Sequence, residues 1–254
     1  MEQITENYGC KHYKRKCKFV SYCCEKVFTC RLCHDEYYEN EKIPHKINRH
    51  LIKQIICSKC NEKQDVSNNC IKCDTKFGEY YCNICNLFDD DITKKQFHCD
   101  KCGICRVGGK ENFFHCDICS SCISISLKDT HICIKDSFHN TCPICCESIF
   151  DSVKNITILD CGHTIHVECF SEMLKEGTLS SLRCPFCNKS CLSKEVRNTI
   201  FSQIESQIEN TPMPEDLNYD VDIFCNDCLN NSKAKFHIIG HKCQECGSYN
   251  TRKI

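Results

Sequence analysis

The chain has 254 residues, of which 31 are Cys, 12 are His, none is Trp and one, Ala234, is Ala. Without the cysteines there is too little apolar material for one conventional core of this length, which excludes a large α/β enzyme and a helical bundle. A net charge of −1 gives no bulk argument for nucleic acid or anionic membrane as a partner. No apolar run approaches the roughly 18 residues of a membrane span. The opening MEQITENYGCKHYKRKC lacks the apolar stretch of a secretory signal, so the expectation is an intracellular protein of cytoplasm or nucleus. The Lys-, Asn- and Ile-rich, Ala-poor usage suggests an AT-rich genome; if that genome is viral, the compartment is the host's.

Cysteine at this density means a disulfide scaffold or a metal scaffold. An intracellular chain disfavours disulfides, and an odd count leaves one thiol unpaired. Most of the cysteines stand in C-x2-C pairs, a spacing that aims two thiolates at one tetrahedral ion. Many histidines lie beside or one residue from a Cys, and imidazole serves zinc but not a disulfide. Ordering the backbone costs about 1–2 kcal/mol per residue, while a structural zinc supplies about 10–16 kcal/mol of apparent binding energy. The fold class predicted is a zinc-finger array of small metal-dominated modules with little regular secondary structure, unfolded without metal.

The first module, residues 1–78, ends in Cys57-x2-Cys60-x9-Cys70-x2-Cys73, a closed four-thiolate site on spacing alone. Its earlier part offers Cys10, His12, Cys17, Cys23, Cys24, Cys30, Cys33, His34, His45 and His50, of which two ions need eight. The order C-x-H-Y, CC, C-x-x-CHDE and a later His resembles the CHY zinc finger. That resemblance implies Cys10, His12, Cys23, Cys24, Cys30, Cys33, His34 and His45 as ligands, giving three zincs with the four later cysteines. It leaves out Cys17 and His50. Which ion Cys23 and Cys24 each bind stays open.

The second module, residues 79–137, repeats aromatic-His-Cys-x2-Cys-x2-Cys at 97–105 and 114–122. Its donors are Cys82, Cys85, His98, Cys99, Cys102, Cys105, His115, Cys116, Cys119, Cys122, His131 and Cys133, enough for three more ions. With one ligand every three residues, no site closes locally. Ligands must be shared between successive turns in an interleaved ribbon, with a turn at Gly108–Gly109. The phrase FGEYYC…LF…HC..CGICR…FFHC is similar to the CTCHY companion of the CHY finger. Closed sites of this kind are structural rather than catalytic.

Residues 138–192 read Cys142-x2-Cys145-x15-Cys161-x-His163-x2-His166-x2-Cys169-x14-Cys184-x2-Cys187. This order, with Pro143 and Pro185, resembles a RING-H2 finger with a ββα-like cross-brace. The resemblance assigns Cys142, Cys145, His166 and Cys169 to one zinc and Cys161, His163, Cys184 and Cys187 to the other. VECFSEMLKEG reads as a short helix with Val167, Phe170 and Leu174 on one face and Gly177 as its stop. By the same resemblance a groove for a ubiquitin-charged conjugating enzyme, the E2, is formed by Ile144, Met173 or Leu174, Pro185 and Phe186. Asn188 stands where many RINGs carry a cation that contacts the donor ubiquitin. The chemistry implied has no protein nucleophile: a substrate lysine attacks the E2 thioester directly.

Residues 193–217 hold an amphipathic helix with Ser193 as N-cap and Val196, Ile200, Ile204 and Ile208 in one row. Docking on the RING is favoured over self-association, so a homodimer stays open, and TPMPEDL is expected to run extended. In 218–254, Cys225-x2-Cys228-x14-Cys243-x2-Cys246 makes a one-zinc ribbon with FHIIG (236–240) as a strand; His237 and His241 are superfluous as ligands. Mixed local charge disfavours nucleic acid. The four modules in this order resemble the RING and CHY zinc-finger E3 ubiquitin ligases, with about nine zincs in all. The partners implied are a charged E2 and a protein substrate, unidentified, recruited by the cysteine-rich ends; no membrane is expected. The alternative is a non-catalytic zinc-finger adaptor.

Overall fold

A computed structural model describes residues 8–177 and 182–254. The contacts divide the chain into two compact units, residues 1–115 with 122–126, and residues 116–121 with 127–254. The division falls inside the stretch 79–137, so one part of the interleaved ribbon groups with each half.

In the first unit, β1 (Cys17–Val20), β2 (Val27–Phe28), β3 (Gln54–Cys57) and β4 (Lys63–Asp65) form an antiparallel sheet in the order β2-β1-β3-β4. Between β2 and β3 lies α1 (Arg31–Glu39), which the Cys30 sulfur caps by accepting from the Cys33 N–H. Alternation along β1 turns Cys17 and Phe19 inward. They join Ile47, Ile52, Ile55, Phe77 and Phe88 in the main apolar cluster of the unit. Cys17, set opposite Cys57, is therefore a small core residue, with the Arg15 guanidinium 3.3 Å from its sulfur.

Three short pairs follow along the chain. β5 (Tyr80–Cys82) pairs with β6 (Leu87–Asp89), and β7 (Phe97–Cys99) with β8 (Ile104–Arg106); β9 (Phe113–Cys116) and β10 (Ser121–Ser124) straddle the division. Within the acidic run Asp89–Asp91, Asp89 is fully buried. Its carboxylate accepts from Lys94 at 2.6 Å, Gln96 at 2.8 Å and the backbone of Lys14 at 3.2 Å. Asp90 pairs with Lys16 at 3.0 Å. A buried carboxylate persists because these donors replace its hydration.

The second unit contains β11 (Ile156–Ile158), β12 (Thr164–His166) and α2 (Val167–Lys175), the expected ββα. Gly177, at φ +64°, ends α2 with its N–H on the Leu174 carbonyl. Ser193 caps α3 (Lys194–Glu209) by accepting from the Val196 N–H. β13 (Asp220–Cys225) lies between β14 (Asn231–Lys235) and β15 (Thr251–Lys253). No helix among the described residues is long and apolar enough to cross a membrane.

Three expectations need correction. The ribbon strand is NSKAK (231–235), whereas FHIIG carries no strand. The reason is that only Val221, Ile223 and Ala234 are needed to fill the ribbon core, with Phe236 packed on it. Phe236 stacks on Tyr219, and His237 bonds the Thr211 carbonyl at 2.9 Å. TPMPEDL is not wholly extended, because Glu215–Leu217 form a 3-10 turn. The row on α3 is displaced: Val196 is half exposed, while Ile204 is buried. The helix closes an apolar crevice with Leu182, Leu192, Ile200, Phe201 and Tyr249, so it packs on the RING and the ribbon together.

Candidate metal centres

One backbone device recurs at the C-x2-C pairs. The residue after the second Cys adopts a left-handed conformation at Asn61, Asp74, Asn86, Gly103, Ser120, Cys146, Asn188, Leu229 and Gly247. From Asn61, Asp74, Cys146, Asn188 and Leu229 the N–H returns to the carbonyl of the first Cys at 2.8–3.0 Å. The loop is thereby closed around the two sulfurs; the second intervening residue is exposed at Ile84, Ile118, Ile144 and Phe186, whereas Asp227 of the Cys225–Cys228 loop is turned onto polar partners. Asn, Asp and Gly tolerate this conformation best, which gives a local structural reason for Asn at 188.

A tetrahedral zinc with Zn–S of about 2.3 Å and Zn–N of about 2.0 Å places sulfurs about 3.8 Å apart and sulfur about 3.5 Å from nitrogen. A disulfide needs about 2.05 Å, and every cysteine is free. Five tetrads are assembled as Cys10/His12/Cys30/Cys33, Cys57/Cys60/Cys70/Cys73, Cys82/Cys85/His98/Cys105, Cys99/Cys102/His115/Cys122 and Cys116/Cys119/His131/Cys133, and four further clusters of ligating side chains accompany them. The Cys57–Cys73 and Cys60–Cys70 sulfurs are 3.7 and 3.5 Å apart. Cys85 lies 3.4 Å from His98 Nδ1, and Cys102 lies 3.3 Å from His115 Nδ1. These donor sets and separations fit zinc, which supplies structural cross-links here.

The sequence left open how Cys23 and Cys24 are shared. Cys23 Sγ lies 3.2 Å from His34 Nε2 and 3.3 Å from His45 Nε2, with Cys24 beside Cys23. Both cysteines therefore group with His34 and His45, while His12 completes the Cys10 tetrad. Cys17 joins neither. His50 donates from Nδ1 to the Ile84 carbonyl at 2.8 Å, a structural bond. In the second module each C-x2-C pair takes its His and last Cys from the following segment, and His131 with Cys133 closes the series.

In the RING, Cys145 Sγ lies 3.3 Å from His166 Nδ1, with Cys169 in reach of Cys142 and Cys145. His163 Nδ1 lies 3.4 Å from Cys161 and 3.6 Å from Cys184, and Cys187 in turn contacts both of these cysteines. Each group thus joins ligands from separated parts of the sequence. In the ribbon, Cys225–Cys246 and Cys228–Cys243 are 3.6 and 3.7 Å apart. His241 stays out of this site; burial, aided by the positive charge of Lys253, holds its pKa below the ordinary value.

Ile144 and Phe186, each the second intervening residue of a RING knuckle, are 46% and 44% exposed. Phe186 is stacked on the His163 ring at 5.0 Å. Pro185 and Asn188 are exposed, while Met173 and Leu174 on α2 are half-buried. Sequence reasoning missed the supports of this surface. Gly162, between two ligands, adopts φ +89°, and a Cβ there would fall 2.7 Å from the Ile132 carbonyl. The tail of the third tetrad of the second module therefore packs directly on the RING. On the opposite partner of the loop, Asp227 accepts from the Ser190 N–H at 2.7 Å and from the Ser248 hydroxyl at 2.6 Å. Burial raises the pKa of Asp227, but donors from Ser248, Ser190 and Asn250 outweigh it and hold the carboxyl below its usual value.

The CHY zinc finger profile matches residues 10–80, the RING finger profile residues 140–188 and a zinc-ribbon profile residues 197–252. The chain is 44% identical, over 100% of its length and 87% of the relative's, to E3 ubiquitin-protein ligase RZFP34 of Arabidopsis thaliana. It is 42% identical, over 97% of its length and 92% of the relative's, to E3 ubiquitin-protein ligase SRFP1 of Oryza sativa subsp. japonica. Zinc finger protein BRUTUS of Arabidopsis thaliana is 39% identical over 97% of the chain, which spans 19% of that longer protein. Likeness of this extent, joined to the zinc-binding modules found along the fold, establishes that the chain belongs to the family of RING-type E3 ubiquitin-protein ligases that carry a CHY zinc finger.

Proposed function

We propose that the protein binds a ubiquitin-charged E2 through its RING and promotes direct attack of a substrate lysine on the thioester. The observation that carries this reading is the pair of complete four-donor sets whose cross-brace would hold two knuckles with exposed apolar tips, Ile144 and Phe186, in one fixed setting. Closed sites offer no open coordination position for metal catalysis. The three cysteines outside the tetrads do not supply an evident nucleophile: Cys17 and Cys191 are buried, and Cys146 occupies the left-handed position after a ligand. Rate enhancement then rests on holding E2 and donor ubiquitin in an attack-ready arrangement, an entropic contribution. Ile144, Met173 or Leu174, Pro185 and Phe186 are the E2 contacts. The cysteine-rich N-terminal modules and the ribbon recruit substrate.

The test is lysine discharge from a charged E2 by the purified, zinc-loaded chain. Ile144→Ala is expected to lower the discharge rate by at least about tenfold, as loss of a buried interface anchor does, with zinc content unchanged. Wild-type discharge by that variant would remove Ile144 from the interface; no discharge by the wild type with any E2 would leave the chain a scaffold.

A further inference from the structure

The second RING knuckle and the first ribbon knuckle are fastened together by a polar cluster in which Asn226, Ser248 and Asn250 are buried and Asp227 and Ser190 half-buried. Asp227 stands between the ribbon ligands Cys225 and Cys228. Its carboxylate accepts from the Ser190 N–H at 2.7 Å, the Ser190 hydroxyl at 2.9 Å, the Ser248 hydroxyl at 2.6 Å and the Asn250 amide at 2.9 Å. Asn250 is buried, and it also donates to the Asn188 carbonyl at 2.8 Å while its own side-chain oxygen accepts from Asn226 at 3.0 Å. Asn188 is consequently held from both sides. Its N–H is on the Cys184 carbonyl at 2.8 Å and its carbonyl is on Asn250, while the residue itself is exposed.

Stability alone does not call for this arrangement. Even partial burial of a carboxylate has a desolvation cost, and apolar contact in its place is often as stable or more so. What directional donors and acceptors add is a single orientation of the joined parts. That matters for an uncharged residue at 188: a cation attracts an acceptor over several ångströms, whereas an amide needs about 3 Å and good alignment. An Asn on a loop free to move would forfeit much of such a bond to ordering cost.

We propose that Asp227 and Asn250 of the ribbon are positioning residues for ubiquitin transfer, holding Asn188 so that its side chain meets the donor ubiquitin. This rests on the RING-ligase reading above. The ribbon is then a working part of the transfer module in addition to any part in substrate recruitment. Asp227 and Asn250 act only through the loop and touch neither E2 nor ubiquitin.

The experiment is single-turnover discharge of a charged E2 to free lysine by the full chain, with zinc content and thermal transition measured on each variant. Asn250→Ala and Asp227→Asn should each lower the maximal rate by about tenfold to a hundredfold, the range expected for a misplacement of about 1 Å. The E2 concentration at half-maximal rate should not change. Asn188→Gly, which keeps the left-handed backbone without the side chain, should cause a similar loss. The double variant Asn188→Gly/Asn250→Ala should be no slower than the slower single variant, because both act along one route. Wild-type rates in Asn250→Ala and Asp227→Asn would overturn the proposal, as would losses that multiply in the double variant or appear only in half-saturation. If Asn250→Ala sheds zinc, Ser190→Ala, which removes the hydroxyl's bonds to Asp227 and Asn250 and leaves the backbone bond in place, takes its place in the same cycle with the same criteria. If the wild type discharges nothing, the RING-ligase reading fails and this inference with it; if only the ribbon variants behave as wild type, the inference fails alone.

Discussion

The knuckles of the RING and those of the second module share one backbone design and lead to different consequences. Ile84 and Ile118, at the tips of Cys82–Cys85 and Cys116–Cys119, are 48% and 54% exposed, as much as Ile144 at 46%. Exposure of the second intervening residue thus recurs at C-x2-C loops of both regions, and exposure by itself marks no interface. The difference lies in how ligands are shared. In the second module each pair borrows from the next segment along the chain; in the RING, two knuckles are cross-braced, and neighbours pack at Gly162 and Asp227. The lesson is that the tip residue is generic and its rigid setting is what can be particular.

The largest test of that comparison removes the metal altogether. Prolonged chelation should abolish the thermal transitions of both units, since each zinc contributes about 10–16 kcal/mol of apparent folding energy; calorimetry showing an unshifted transition would break the account. Next comes a contrast between two tetrads. Cys119→Ser should unfold the unit containing the RING and eliminate discharge, because its tetrad groups with that unit. Cys57→Ser, in the core of the other unit, should leave E2 discharge within about twofold if the units melt separately. Discharge and hydrogen exchange measured on both variants decide it.

A sharper comparison comes from the three tips. Ile84→Ala and Ile118→Ala should leave E2 discharge unchanged, while Ile144→Ala lowers it at least about tenfold; equal losses at all three would mean that the tips act through stability. The smallest effect concerns backbone strain. Leu229 occupies the left-handed position at φ +63° and is 56% exposed. Leu229→Asn should stabilise the second unit by about 0.5–1 kcal/mol, the relief expected where a branched side chain gives way to one that tolerates this conformation. A lower denaturant midpoint at constant zinc content would show that Leu229 makes a contact worth more than its strain.

Much of the metal framework was legible because coordination chemistry writes itself into spacing. The interleaving of the second module, the RING order, the Ser193 cap and the Gly177 stop all follow from residues a few positions apart. What was not legible depends on partners distant in sequence. Cys17 is left out of the ligand set by the resemblance, but its place in the core, opposite Cys57, emerges only from strand pairing. Nothing local marks the burial of Asp89, whose carboxylate accepts from the backbone of Lys14, 75 positions away. FHIIG outscored NSKAK on apolar content because a ribbon nucleated by a metal needs few apolar residues to choose its strand. The clamp of Asn188 by Asn250 spans residues that no local pattern connects.

The forward borrowing of ligands in the second module has an evolutionary corollary. An inserted copy of the segment running from His98 to Cys105 would hand one imidazole and one thiolate to the preceding ion and offer a fresh pair to the following one. Donors and ions stay balanced under tandem duplication, and the closing pair His131 and Cys133 need not change. Deletion of half a segment, by contrast, would orphan donors in two adjacent centres at once, so the length of this region can grow or shrink only in whole steps.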